Sequence, residues 1–144
     1  GLSGWQGPQD GRDGCLQRLR YTGQPVRLID NVEVTSDGVL LAFNFEIDAE
    51  TASQVDAWQA EMWNYLWSEH YGSDQFSVRR PGETGRDHLT IQHVQVEEDY
   101  RTVRLKIADL DVCDQALLEM KFLTASGETY HEQLYLTVHA IPEG

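Results

Sequence analysis

The run Val39-Leu-Leu-Ala-Phe-Asn-Phe-Glu-Ile-Asp48, set just after the turn signal Ser36-Asp37-Gly38, constrains this chain more than any other. Leu41, Phe43 and Phe45 alternate with Ala42, Asn44 and Glu46. That is the period-two pattern of a half-buried strand, apolar on one face and small or polar on the other. A short corner follows from Ala49 to Asp56, where a helix capped by Asp48 fits. It leads into a second, aromatic-rich run. Strand, acidic corner, strand is how one sheet of a sandwich hands over to the next.

The rest of the chain keeps that rhythm. Residues 1–14 hold five glycines and Pro8, the composition of a linker or an extended lead-in. Trp5 stands alone there as an anchor for docking. Cys15 to Tyr21 fits a short strand, and Pro25 to Val34 reads as the first strand of the domain proper. The expected division is a leader over 1–24 and one domain over 25–142. Leu89 and Ile91 slip phase to Val94 and Val96, which predicts a β-bulge near His93. Asp99-Tyr100-Arg101 marks a turn. Val103, Leu105 and Ile107, then Leu118, Met120 and Phe122, then Leu134, Leu136 and Val138 supply three further alternating strands. Residues 72–86, rich in glycine and arginine, read as a long polar loop. About seven strands with regular turns describe an all-β, Ig-like or fibronectin-like antiparallel sandwich.

Trp58 to Tyr71 fits two templates. As a helix, Trp58, Met62, Tyr65 and Leu66 form a stripe; as a strand, Trp63, Tyr65 and Trp67 share a face. Three aromatics at period two, strands on either side and the turn Tyr71-Gly72-Ser73-Asp74 favour the strand. Trp63, Tyr65, Trp67 and Tyr71 are therefore the candidate ligand or docking surface. Core packing, docking to another domain and stacking against sugar rings are the three roles open to them.

Composition narrows the partners. With 24 acidic and 11 basic residues in 144, the formal charge is −13. Such a surface repels phosphate backbones and anionic membranes, so nucleic acid and membrane insertion are not expected partners. The apolar runs are too short to span a bilayer. Gly1 is not a native start, and the chain reads as a piece of a longer one. Cys15 and Cys113 are either a disulfide or two thiols; spacing alone does not decide. A cupredoxin-like metal or redox domain needs a Cys with His and Met close by on one loop. Cys113 is followed by Met120 but by no nearby His. His88 and His93 face opposite sides of a regular strand unless a bulge intervenes, and His131 and His139 are too far apart to chelate. Asp48, Glu50, Asp56, Asp111 and Asp114 carry calcium-type oxygens without an EF-hand spacing. No nucleophile elbow, P-loop or dinucleotide fingerprint occurs. The expectation is no catalytic residue, no cofactor and no metal: not an enzyme.

The succession Val39–Asp48, then Tyr71-Gly72-Ser73, then Tyr100-Arg-Thr-Val-Arg-Leu-Lys-Ile-Ala-Asp-Leu110, then a closing strand ending Ile141-Pro142, resembles bacterial Ig-like modules. More narrowly it is similar to the C-terminal domain of large secreted planctomycete and verrucomicrobial proteins. Those proteins combine a sugar-dehydrogenase-like β-propeller with c-type cytochrome domains. The segment Gly14 to Gly23 is similar to the piece joining such a domain to the preceding unit. The resemblance implies a periplasmic or extracellular setting and a redox-active parent. It implies no catalytic residue, and the haem signature Cys-x-x-Cys-His is absent. The expected function is a non-catalytic accessory domain that packs against neighbouring domains. The alternatives are a carbohydrate-binding module and the cupredoxin-like domain.

Overall fold

A computed structural model describes residues 18–69 and 71–143. Eight antiparallel strands form a β-sandwich: β1 (Ile29–Thr35), β2 (Gly38–Phe43), β3 (Trp58–Tyr65), β4 (Gln75–Phe76), β5 (Asp87–Val96), β6 (Thr102–Ala108), β7 (Cys113–Leu123) and β8 (Thr129–Val138). The ladder runs β1-β2-β6-β5-β3-β7-β8, with β4 paired to the end of β3. β5 is the seam. Its start pairs with β3 (Ala60 opposite Leu89, Met62 opposite Asp87), and from Thr90 onward it pairs with β6. One sheet is therefore β1-β2-β6-β5 and the other β4-β3-β7-β8. That is the strand arrangement of Ig-type sandwiches.

The alternating residues named from sequence face the core. Val39, Leu41 and Phe43 on β2, Val103, Leu105 and Ile107 on β6, and Leu118, Met120 and Phe122 on β7 are all buried. Phe43, Phe122 and Tyr130 meet edge to face or tilted at one end of the core, with ring centroids 5.4 to 5.9 Å apart. Such contacts add to the area they bury. Trp58 joins them 5.4 Å from Phe122, and its indole N–H donates to the Ala52 carbonyl at 2.8 Å. The bond fastens β3 to the corner helix α1 (Ala49–Ala52), where Asp48 is the N-cap and accepts from Thr51 N–H. A turn of 3-10 helix (Val55–Ala57) completes the corner.

Three sequence boundaries shift. β1 begins at Ile29 and not at Pro25, because the preceding backbone bonds to a side chain: Leu28 N–H donates to Asn44 Oδ1, and the Asn44 amide donates to the Val26 carbonyl. The strand expected over Cys15 to Tyr21 is absent from 18–21, and its first half lies outside the described residues. β3 ends at Tyr65 and does not run on to Tyr71, and Cys113 opens β7. The expected bulge is there, as a register shift between Ile91 and His93.

The approach to β1 and the exit from β8 lie at opposite ends of the sandwich. Ile29 pairs with Phe43 at the far end of β2, and Arg27 makes an ion pair with Glu128 in the β7–β8 turn. Val138 pairs with Cys113 at the start of β7, and Ile141 packs by the β1–β2 turn.

Two variants test the architecture. Gly38 starts β2 where a Cβ would sit 1.9 Å from the Leu105 carbonyl oxygen, so strand pairing with β6 has no room for a side chain. Gly38→Ala is expected to cost more than about 3 kcal/mol in urea unfolding, since backbone itself must move. β8 is an edge strand whose alternation on the core side runs Tyr130, Glu132, Leu134, Leu136, Val138, with Glu132 itself exposed at the rim. Glu132 places a charge where a hydrophobe belongs, a device against strand-to-strand association. With burial, it pushes the Tyr130 hydroxyl up to about 12. Glu132→Val is expected to fold at least as stably but to self-associate more than the parent chain in sedimentation velocity. Unchanged association would remove this role from Glu132.

Candidate functional site

The aromatic run divides at the end of β3. Residues 58, 60 and 62 point into the core, so Gln59, Glu61, Trp63 and Tyr65 face outward. Trp63 is nonetheless only 1% exposed. Arg86 covers it, with the guanidinium carbon 4.1 Å from the ring centroid, and Tyr135 from β8 meets it edge-on at 6.4 Å. Such a cation–π contact is worth most where water is excluded. Arg86 is itself held from two sides, donating to Glu61 Oε2 at 2.9 Å and to Gln75 Oε1 at 2.7 Å. Trp63 is therefore packed, and it does not share one exposed surface with Tyr65, Trp67 and Tyr71.

Beyond Trp63 exposure climbs. Tyr65 is 42% exposed, Trp67 95%, and Tyr71 is fully exposed. Trp67 and Tyr71 stand in the β3–β4 turn, past the strand, at the end where β8 leaves the sandwich. The base of this turn is tied. Leu66 N–H donates to Ser73 Oγ at 3.0 Å, Ser73 Oγ donates to the Asp74 carbonyl, and Tyr65 N–H donates to Asp114 Oδ2 at 2.8 Å. Leu66, Tyr71, Ser73, Asp74 and Phe76 border an open groove of about 420 Å³. Trp5 and Cys15 lie outside the described residues. Cys113 is a buried thiol, its pKa pushed up by burial and further by Asp114 and Asp111.

Residues 72–86 are more ordered than their composition suggests. Asp87, at the head of β5, draws the segment in. Its carboxylate accepts from Ser77 Oγ at 2.7 Å, from Val78 N–H at 2.7 Å and from Arg79 N–H at 3.0 Å. Burial alone would raise this carboxyl, but the bonds from Arg79, Ser77 and Val78 outweigh it, and its pKa falls below the ordinary value. β4 forms within this segment, opposite Asn64 and Tyr65. Two residues carry no periodicity, so β4 had no signal in sequence. The same clamp fixes Arg86 beside Trp63.

On the outer face of β3, β7 and β8 the register builds two polar rows. Gln59, Glu119 and Gln133 lie side by side, and His88, Glu61, Leu117 and Tyr135 form the next row. Glu61 Oε1 is 3.1 Å from His88 Nδ1, and Glu119 Oε1 is 3.0 Å from His131 Nε2. Bonds from His131 and Gln133 hold Glu119 below the ordinary glutamate range. Sequence reading missed these residues. Their alternation was visible, but which strands lie side by side was not.

His88 and His131 each pair with one glutamate. Among the described residues no three His, Cys, Asp or Glu side chains converge as a metal site would require. The acidic corner residues disperse: Asp48 caps α1, and Asp114 binds Tyr65 N–H. Arg79 and Arg80 bond to Asp109 and Glu83. No described helix is long and apolar enough to cross a membrane. Comparison of the chain with protein-family models, curated proteins and solved structures finds no match.

Asp87→Ala is expected to cost about 2 to 4 kcal/mol, because it leaves the buried Ser77 hydroxyl and two N–H groups without their acceptor. Asp87→Asn, which keeps one acceptor oxygen, should cost less. Because the folded carboxyl titrates lower than the unfolded one, its stabilisation is complete above the unfolded pKa. It is lost as pH falls through the folded value. The acid limb of a stability-versus-pH curve should therefore flatten in Asp87→Asn. An identical limb in both proteins would show that Asp87 does not carry it.

Proposed function

We propose that this domain is a non-catalytic accessory module that packs against a neighbouring domain through the aromatic tip between β3 and β4. The observation that carries the reading is the full exposure of Trp67 and Tyr71 on a turn whose base is hydrogen-bonded in place. Each ring offers roughly 150–250 Å² to a partner. Large aromatics presented on a fixed backbone lose little conformational freedom on docking, and they are the usual anchors of interfaces. The half-exposed Leu66 and Tyr65 extend the patch.

The chain's path supports the same reading. It approaches β1 at one end and leaves β8 at the other, beside the tip, as in modules joined in line. The sequence resemblance suggests the surroundings: an exported, periplasmic or extracellular protein with redox-active domains. In that setting this domain serves assembly and spacing.

Tryptophan fluorescence tests the proposal. Trp67, resolved by comparison with Trp67→Phe, is expected to be freely quenched by acrylamide in this domain. It should be shielded in the longer chain that carries the adjoining domain. Trp67→Ala with Tyr71→Ala should change the stability of the isolated domain by no more than about 0.5 kcal/mol, yet loosen the two-domain chain to limited proteolysis. Equal quenching of Trp67 in both chains would overturn the docking role.

A further inference from the structure

The approach to β1 is held differently on the two sides of Pro25. After it, from Val26 to Leu28, the chain is fastened to Asn44, an exposed polar position just past β2. Asn44 Oδ1 accepts from Leu28 N–H and its amide donates to the Val26 carbonyl, both at 2.9 Å. Asn44 N–H donates to the Leu28 carbonyl at 3.1 Å. Before it, residues 18–24 are all exposed and make no hydrogen bond or ion pair with another described residue. We propose that Asn44 is a clamp fixing the direction in which the chain enters the domain, and that Thr22-Gly23-Gln24 is the hinge about which residues 18–21 turn. The inference concerns the end opposite the aromatic tip and does not rest on the docking reading.

A side chain can stand in for a strand only if it offers a donor and an acceptor together, and a carboxamide does. With its own N–H included, Asn44 makes three bonds to the segment and carries the β1–β2 pairing past the Ile29–Phe43 pair. Arg27 lies between the two clamped residues and pairs with Glu128 in the β7–β8 turn. The approach is thereby tied to both sheets. Pro25 closes the clamp: its ring fixes φ, and it has no N–H to leave unpaired. It also disfavours helical backbone at Gln24.

Nothing comparable holds the residues before Pro25. Leu19 is 96% exposed and Tyr21 76%, so neither side chain packs on the sandwich. Gly23 has φ +82°, in the left-handed region, and a Cβ there would have no atom within 4 Å. The bend at Gly23 therefore rests on glycine's own backbone freedom and not on contacts. A hinge is a few loop residues that absorb a change in φ and ψ while their neighbours stay fixed. Thr22-Gly23-Gln24 meets that description, with a clamp on one side and unbonded chain on the other. The sandwich thus receives the chain rigidly, and reorientation stops at Pro25.

Nitrogen-15 relaxation of the intact chain tests both halves. Order parameters of Arg27 and Leu28 are expected to match those of the strands, about 0.85, and those of Tyr21 to Gln24 to fall below about 0.6. Uniform values across 21–28 would overturn the proposal, whether all high or all low. Trypsin tests the clamp separately. In the parent chain it should cut after Arg20 and spare the Arg27–Leu28 bond, which the clamp spans. In Asn44→Ala that bond should be cut at least about tenfold faster, while Arg104, inside the β6 ladder, stays uncut. Asn44→Asp keeps the acceptor for Leu28 N–H and loses only the donor to Val26, so its rate at Arg27 should fall between the two. Undiminished protection of Arg27 in both variants would overturn the clamp. Cutting at Arg104 would reveal a variant that fails to fold, and relaxation of the parent chain then decides. None of these outcomes bears on shielding of Trp67 in the longer chain, so this inference and the docking reading can fail separately.

Discussion

Everything in this sandwich hangs on β5 changing partners. The strand leaves β3 after Leu89 and joins β6 from Thr90, and the bulge between Ile91 and His93 lies where it turns. Side chains on a strand alternate, so a bend without an extra residue would send Val94 and Val96 outward. The bulge inserts that residue, and Val94 remains 4% exposed, in the same core as Ile91. One strand thereby serves as the edge of both sheets and binds them together at that side. On the open side, where β1 and β8 have no such seam, the Arg27–Glu128 ion pair links the approach to β1 with the β7–β8 turn.

The acidic bias of the chain follows partly from how its turns are tied. Asp48, Asp87 and Asp99 each accept backbone N–H groups, at α1, at the β4–β5 segment and at the β5–β6 turn. All three titrate below the ordinary aspartate value: Asp48 through Thr51, Asp99 through Thr102 and Arg101, and Asp87 in spite of its burial. Carboxylates in this role act as fixed acceptors where loops would otherwise leave donors unpaired. In Asp87 the tie has a further consequence. It holds the segment that delivers Arg86 to the face of β3, so a buried hydrogen-bond cluster decides what the sheet shows to solvent.

Much of the fold was legible because alternation is a strong signal. The β2, β6 and β7 strands, the Asp48-capped corner, the bulge near His93 and, as far as Tyr65, the strand reading of Trp58 to Tyr71 all followed from period, capping and phase. What alternation does not encode is adjacency across the sheet. Gln59 and Glu61 were ordinary polar positions until the register set them beside Glu119, Leu117 and Tyr135. β4 was invisible because two residues have no period. The start of β1 was misplaced because Asn44, sixteen residues downstream of Leu28, takes its backbone bonds.

The split among the aromatics shows why a residue's place on a strand face does not fix its exposure. Trp63 and Tyr65 lie on one face two residues apart, yet one is buried and the other is not. The difference is Arg86, whose long side chain lies across the indole and whose charge is shared with Glu61. Trp67 has no such cover, because β3 ends at Tyr65 and the chain turns toward β4. The two tryptophans therefore suit opposite tasks. Trp63 stiffens a polar surface from beneath, and Trp67, on a turn anchored by Ser73 and Asp114, can lose water only to a partner. A domain that hides one indole under an arginine and leaves the next exposed has set a packed and an open aromatic four residues apart.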